Sequence, residues 1–134
     1  MSEYVLDSSA VLALLREERT DIDLFRIVPG GLIGLVNYSE VIEVFAREGH
    51  VRGWIEDALA ALELVVLVPD IALATEAAML RPQTRPFGLS LGDRFCLALS
   101  LAINLPLVTT DLKLAMAAEA MGASAIIARE HSKD

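Results

Sequence analysis

Four carboxylates stand where a cation site could be built: Asp7, Glu40, Asp93 and Asp111. Asp7 follows the apolar run Tyr4-Val5-Leu6, and Asp111 follows Leu107-Val108-Thr109-Thr110. Glu40 falls in the first turn after a second apolar run, and Asp93 in the first turn of a long apolar helix. Like charges held within about 6 Å raise each other's pKa, so such a cluster costs stability unless a cation occupies it. Oxygen ligands without Cys or His select Mg²⁺ or Mn²⁺ over zinc. One or two such ions can activate a water for in-line attack on a phosphodiester. Taken singly, each acid also reads as a helix cap or a partner for a helix dipole. The set, drawn from distant parts of the chain, carries the catalytic reading. Ser8, Ser9, Thr109 and Thr110 flank Asp7 and Asp111, and their hydroxyls can orient a carboxylate or simply cap a helix. Glu43 reads as a solvated acid on the Glu40 face, and Asp70, in a Pro-Asp turn, as a cap.

The elements that must position these acids alternate. Strands are expected at 4–6, 32–36, 64–68, 106–110 and 124–127. Helices are expected from Ser8 or Ser9 to 17, from Thr20 or Asp21 through 28, and from Asn37 or Ser39 to 47. Further helices are expected at 51–62, 71–80, 91–103 and 111–121, and 81–90, with Pro82, Pro86 and Gly88, reads as a loop. The run 64–68 is unbroken apolar, the pattern of a central parallel strand. The alternation predicts an α/β fold, a three-layer sandwich around a central parallel sheet of four to five strands. The chain reads as one domain over 1–134. In such folds sites form beyond the carboxyl ends of the strands, which is where the four acids fall.

Composition narrows the classes. The 134 residues are 54% hydrophobic with mean hydropathy +0.52, enough for a core and against disorder. No apolar run approaches the roughly 18 residues of a spanning helix, and Met1-Ser2-Glu3 opens no secretory signal, so a cytoplasmic protein is expected. The one cysteine, Cys96, excludes an intrachain disulfide and reads as a buried hydrophobe. His50 and His131 read as surface residues. A net charge of −8 disfavours nucleic-acid binding on charge alone but suits a cation-filled acidic site. Nine of the 11 basic residues are Arg, suited to local bidentate contacts.

Four segments resemble the motifs of the PIN-domain family. They are Tyr4-Val5-Leu6-Asp7-Ser8-Ser9-Ala10, Val36-Asn37-Tyr38-Ser39-Glu40-Val41, Leu89-Ser90-Leu91-Gly92-Asp93-Arg94-Phe95-Cys96-Leu97-Ala98 and Val108-Thr109-Thr110-Asp111. Their order and spacing match, and they span nearly the whole chain. The length is most similar to the VapC toxins of VapBC toxin–antitoxin pairs. The resemblance implies a Mg²⁺- or Mn²⁺-dependent endoribonuclease, a homodimer, and a cognate VapB-type antitoxin that blocks the site. Operator DNA would be bound only through the antitoxin. The family's acidic quartet falls on Asp7, Glu40, Asp93 and Asp111, with Ser9 or Thr110 as a hydroxyl helper. Arg94 matches a basic residue after the third acid and would either pair with a carboxylate or contact phosphate. Arg81 and Arg85 in the Pro-rich stretch are further candidates for RNA contact, or solvated loop residues. The alternatives are a PIN domain of RNA processing and a catalytically idle binding module. A receiver domain needs paired acids after the first strand, and Asp7 is followed by Ser8-Ser9, a poor match; a haloacid-dehalogenase-like phosphatase needs Asp-x-Asp, and position 9 is Ser.

Overall fold

The computed structural model describes residues 2–130; His131 lies outside them. Five strands, β1 (Val5–Leu6), β2 (Leu32–Gly34), β3 (Val65–Leu67), β4 (Leu107–Thr109) and β5 (Ala125–Ile127), form one parallel sheet in the order β3-β2-β1-β4-β5. The helices are α1 (Ser8–Leu15), α2 (Leu24–Ile27), α3 (Leu35–Arg47), α4 (Arg52–Ala60), α5 (Ile71–Gln83), α6 (Leu91–Ile103) and α7 (Leu112–Ala120).

The pleat of the sheet makes the three layers. Leu6, Ile33 and Val108 point into one core with Val11, Val41, Phe45, Ile55 and Leu59 of α1, α3 and α4. Val5 and Leu107, one residue earlier on β1 and β4, point into the other core with Ala77, Leu97 and Leu114 of α5, α6 and α7. Val5, Leu6, Leu107 and Val108 are fully buried, so β1 and β4 lie at the centre. Removing any one of these side chains would cost roughly 2–5 kcal/mol. The expected sandwich is thus the observed fold, with five strands.

The run 64–68 is not a central strand. β3 is an edge, and Val65 and Val68 are exposed. Apolar content reports a tendency to be covered, and here the other described residues do not supply the covering surface.

Several boundaries move for local reasons. Gly34 occupies the N-cap position of α3, so the helix begins two residues before Asn37, and Glu40 sits in its second turn. Asp23, through its contact with the Phe25 N–H, caps α2 in place of Thr20 or Asp21. α5 runs on to Gln83 despite Pro82, which brings no N–H to its last turn, and the Leu80 carbonyl accepts from both the Thr84 N–H and its hydroxyl. Arg85–Phe87 then forms a 3-10 turn where a loop was expected. Asp70 caps α5 as expected, accepting from the Leu73 N–H at 2.8 Å. No helix among the described residues is long and apolar enough to cross a membrane.

Candidate active site

The strand order reverses at β1: the chain first builds outward through β2 to β3, then returns to place β4 on the other side of β1. A crevice opens at such a switch point, beyond the strands' carboxyl ends. Asp7 leaves β1 there, and Thr109, Thr110 and Asp111 leave β4 beside it. The Asp7 N–H extends the ladder to the Val108 carbonyl at 2.9 Å, which fixes its backbone.

Asp7 occupies the N-cap position of α1 without capping it. Its side chain is 3% exposed and Oδ2 accepts two hydroxyls, Ser9 at 2.7 Å and Thr109 at 2.8 Å. Each hydroxyl has one proton, so with both spent on Asp7 the 3.2 Å approach of Ser9 Oγ to Thr109 Oγ1 is a packing contact. No protein hydrogen bond among the described residues engages Oδ1. Burial is the main force on this carboxyl and raises its pKa from 3.8 to about 6; the two hydroxyls pull it down, and the charges of Asp93 and Glu40 push it up.

Glu40 is held by Asn37, whose Nδ2 donates to Glu40 Oε1 at 2.9 Å and to the Gly92 carbonyl at 3.0 Å. Two acceptors on one nitrogen fix the amide's orientation, leaving the buried Oδ1 without a partner. Burial raises the Glu40 pKa; Asn37 and the Ser8 hydroxyl lower it, and Asp93 and Glu43 raise it. Gly92 is buried because the Glu40 carboxylate lies where its Cβ would be. α3 and α6 are therefore locked together at the site by one amide and one missing side chain. Ser90 and Asp93 form a capping box on α6, with the Ser90 N–H donating to Asp93 Oδ2 at 3.0 Å. Asp93 thus caps its helix and also adds its charge to the cluster. Beneath the acids lies Cys96, fully buried; burial pushes its thiol well up, followed by the charges of Asp7, Asp93 and Glu40. Its expected role as a small core hydrophobe stands.

Asp7, Glu40 and Asp93 therefore share one electrostatic field. Asp111 stands beside it: its Oδ1 accepts from the Lys113 N–H at 2.9 Å as the α7 cap, and its own N–H donates to Thr109 Oγ1 at 2.9 Å. Among the described residues, no three acidic, imidazole or thiol side chains already surround a common cation position. The donor set nonetheless fits a hard divalent cation: carboxylate oxygens only, with Asp7 and Glu40 raised in pKa chiefly by burial and Asp7 Oδ1 unengaged.

The supporting residues differ from the sequence reading in three ways. The hydroxyl beside Asp7 comes from Ser9 and Thr109; Thr110 contributes its backbone N–H, which donates to Ser9 Oγ at 3.0 Å. Arg94 neither pairs with a carboxylate nor reaches the surface. It is buried against α5, with Nη1 donating to the Ala77 carbonyl at 3.2 Å and Nε without a partner. Arg81 and Arg85 are exposed at the end of α5 and in the 3-10 turn, and neither forms an ion pair among the described residues. Asn37 and Gly92 were legible only as members of motifs, Asn37 also as a helix opener; nothing in their types announces the clamp on Glu40.

The family model described as PIN domain matches residues 4–120. No curated protein matches the chain by sequence. Among solved structures, a Pyrobaculum aerophilum protein, PAE2754, aligns with TM-score 0.66 and 22% identity over 92% of this chain and 90% of that one. A chain of a toxin–antitoxin complex from Klebsiella pneumoniae aligns with TM-score 0.63 and 22% identity over 84% and 89%. A chain of VapBC-1 from nontypeable Haemophilus influenzae aligns with TM-score 0.61 and 16% identity over 92% and 96%.

Proposed function

This chain belongs to the PIN-domain family, and from that premise we propose that it is a Mg²⁺- or Mn²⁺-dependent endoribonuclease, the toxin of a type II toxin–antitoxin pair. The observation that supports the reading best is the acidic triad at the switch point, with Asp7 buried and Glu40 and Asp93 partly exposed beside it. Burial, and after it the neighbouring acidic charges, raise the pKa of Asp7 and of Glu40 in a place where a lone structural acid would be neutralised or paired. Asp7, Glu40 and Asp93 would hold the cation, with Asp111 assisting it or a second ion. A divalent ion bound there supplies Lewis acidity and positive charge for hydrolysis of a phosphodiester. The chain's own residues prepare the place. Ser9 and Thr109 aim the Asp7 carboxylate, Asn37 aims Glu40, and the capping box fixes Asp93.

The test is cleavage of defined RNA by purified protein with Mg²⁺ or Mn²⁺ and with EDTA. We expect cutting within the chain of the RNA, lost in EDTA and restored by added metal. Equal cutting in EDTA contradicts the reading. pH gives a second check. Asp7 must be ionised to hold a cation, so at subsaturating Mg²⁺ the rate should rise with pH through about 6. Thr109→Val keeps the shape but removes one hydroxyl that lowers the Asp7 pKa, so the acid limb should move to higher pH. An unmoved limb means that Thr109 does not tune Asp7.

For partners, the solved complexes aligned above support an antitoxin; the proposal extends to a VapB-type antitoxin that covers the site, with operator DNA reached only through it. A homodimer is supported by the uncovered apolar edge at β3 and the start of α5, where Val68 is 74% and Ile71 86% exposed. Light scattering of the pure chain checks this; a monomer at micromolar concentration contradicts it.

A further inference from the structure

A second concavity opens beside the acids, with a volume of about 520 Å³ and a lining that includes Arg19, Arg129, Thr110 and Leu112, together with Glu18 and Glu130. We infer that this cleft is a subsite for a backbone phosphate of the RNA strand next to the scissile bond, gripped by Arg19 and Arg129. The inference rests on the ribonuclease reading above and goes beyond it by naming where the substrate lies.

Thr110, on the cleft wall, donates its N–H to Ser9 Oγ, which donates to Asp7 Oδ2. Two hydrogen bonds separate the cleft from the central carboxylate. Leu112 opens α7 directly after Asp111. A strand lying in the cleft therefore runs onto the acids.

Backbone hydrogen bonds anchor the chain that carries the two arginines. Ala128 N–H donates to the Thr109 carbonyl at 2.8 Å, so Arg129 follows a residue tied to the same threonine that holds Asp7. Arg129 N–H then donates to Asp21 Oδ1 at 2.9 Å, and Asp21 N–H donates to the Arg129 carbonyl at 2.8 Å. Thr20 and Glu130 add an antiparallel bridge. The chain on either side of the cleft is thus zipped together, and the stems of Arg19 and Arg129 start from fixed backbone.

Arg19 and Arg129 are both exposed, and neither forms an ion pair among the described residues, although Glu18 and Glu130 share the lining; the ion pair found is Arg16 with Glu48. In a chain of net charge −8, two unneutralised guanidiniums beside an acidic centre offset the repulsion that an RNA strand meets there. Guanidinium forks match phosphate oxygens in a bidentate manner. A backbone grip of this kind positions the strand without reading its sequence.

The experiment compares the wild type with the double variant Arg19→Ala/Arg129→Ala on one defined oligoribonucleotide across a salt series. Arg47→Ala removes like charge from the end of α3 and serves as the net-charge control. The double variant should raise KM at least tenfold, change kcat less than threefold, keep its melting temperature, and flatten the plot of log KM against log salt by roughly one. Arg19→Lys/Arg129→Lys keeps the charge without the fork and should recover part of the lost KM. A double variant whose KM rises no more than that of Arg47→Ala overturns the subsite while wild-type cleavage leaves the nuclease reading standing. A wild type that cleaves no RNA in Mg²⁺ or Mn²⁺ overturns both.

Discussion

Asp7→Asn should reduce RNA cleavage by at least about a thousandfold and at the same time raise the melting temperature of the metal-free protein at pH 7. The two effects have one cause. Asp7 is buried, and its pKa rises from 3.8 to about 6 on folding. The folded state therefore binds a proton more tightly than the unfolded chain. Between pH 3.8 and 6 the native protein holds more protons, so metal-free stability falls as pH rises through that window, and the whole penalty is present above it. A shift of this size corresponds to about 3 kcal/mol. Asparagine removes the charge and still offers an oxygen to Ser9 and Thr109, so much of the penalty is relieved. For a chain of this length the gain corresponds to a rise of roughly 7–11 °C. At pH 4, where aspartate is itself largely protonated in the fold, the two proteins should melt within a degree or two of each other. A structural aspartate gives the opposite pattern: substitution lowers the melting temperature, most of all at neutral pH.

Gly92→Ala should cost about a hundredfold in kcat/KM and leave the fold intact. The added Cβ falls on the carboxylate of Glu40. That carboxylate is the far end of a flexible side chain, so it moves aside at little expense to the backbone. Alanine is also the better helix former by about 1 kcal/mol, and Gly92 lies in the first turn of α6. Stability should change little. The site, however, loses its geometry, because Asn37 ties Glu40 Oε1 and the Gly92 carbonyl to one nitrogen and leaves no slack. Circular dichroism and melting check the fold, and initial rates check the site. A Gly92→Ala protein as active as the wild type means that Glu40 takes no part.

Most of the architecture was legible in the sequence because it follows from periodicity. Helix α6 falls where the apolar pattern and Ser90 place it, and the strands fall on their apolar runs. What one sequence cannot rank is the lateral order of those runs. Residues 64–68 are as apolar as any strand in the chain, yet β3 is an edge; only the return of β4 to the far side of β1 decides that. The acids were legible as a set because each leaves a strand or opens a helix at one rim. Their division of labour was not. Asp111 and Asp93 do cap helices, the reading that each acid invites when taken alone, whereas Asp7 stands at a cap position and caps nothing. Thr109 and Thr110 are adjacent and chemically alike. The pleat of β4 buries the first against Asp7 and leaves the second to contribute its backbone. Arg94 shows the same limit: its place after Asp93 suggested a charge partner, and the turn of α6 sends it into the α5 interface instead.

Asp7, Glu40 and Asp93 together should hold a divalent cation. Mn²⁺ binding at pH 7.5, followed by electron paramagnetic resonance of the free ion, tests it without any substrate. The wild type should bind Mn²⁺ stoichiometrically, Asp7→Asn should lose at least tenfold in affinity, and Asp111→Asn should retain most of it. Asp7→Asn protein that binds Mn²⁺ as tightly as the wild type would contradict the claim.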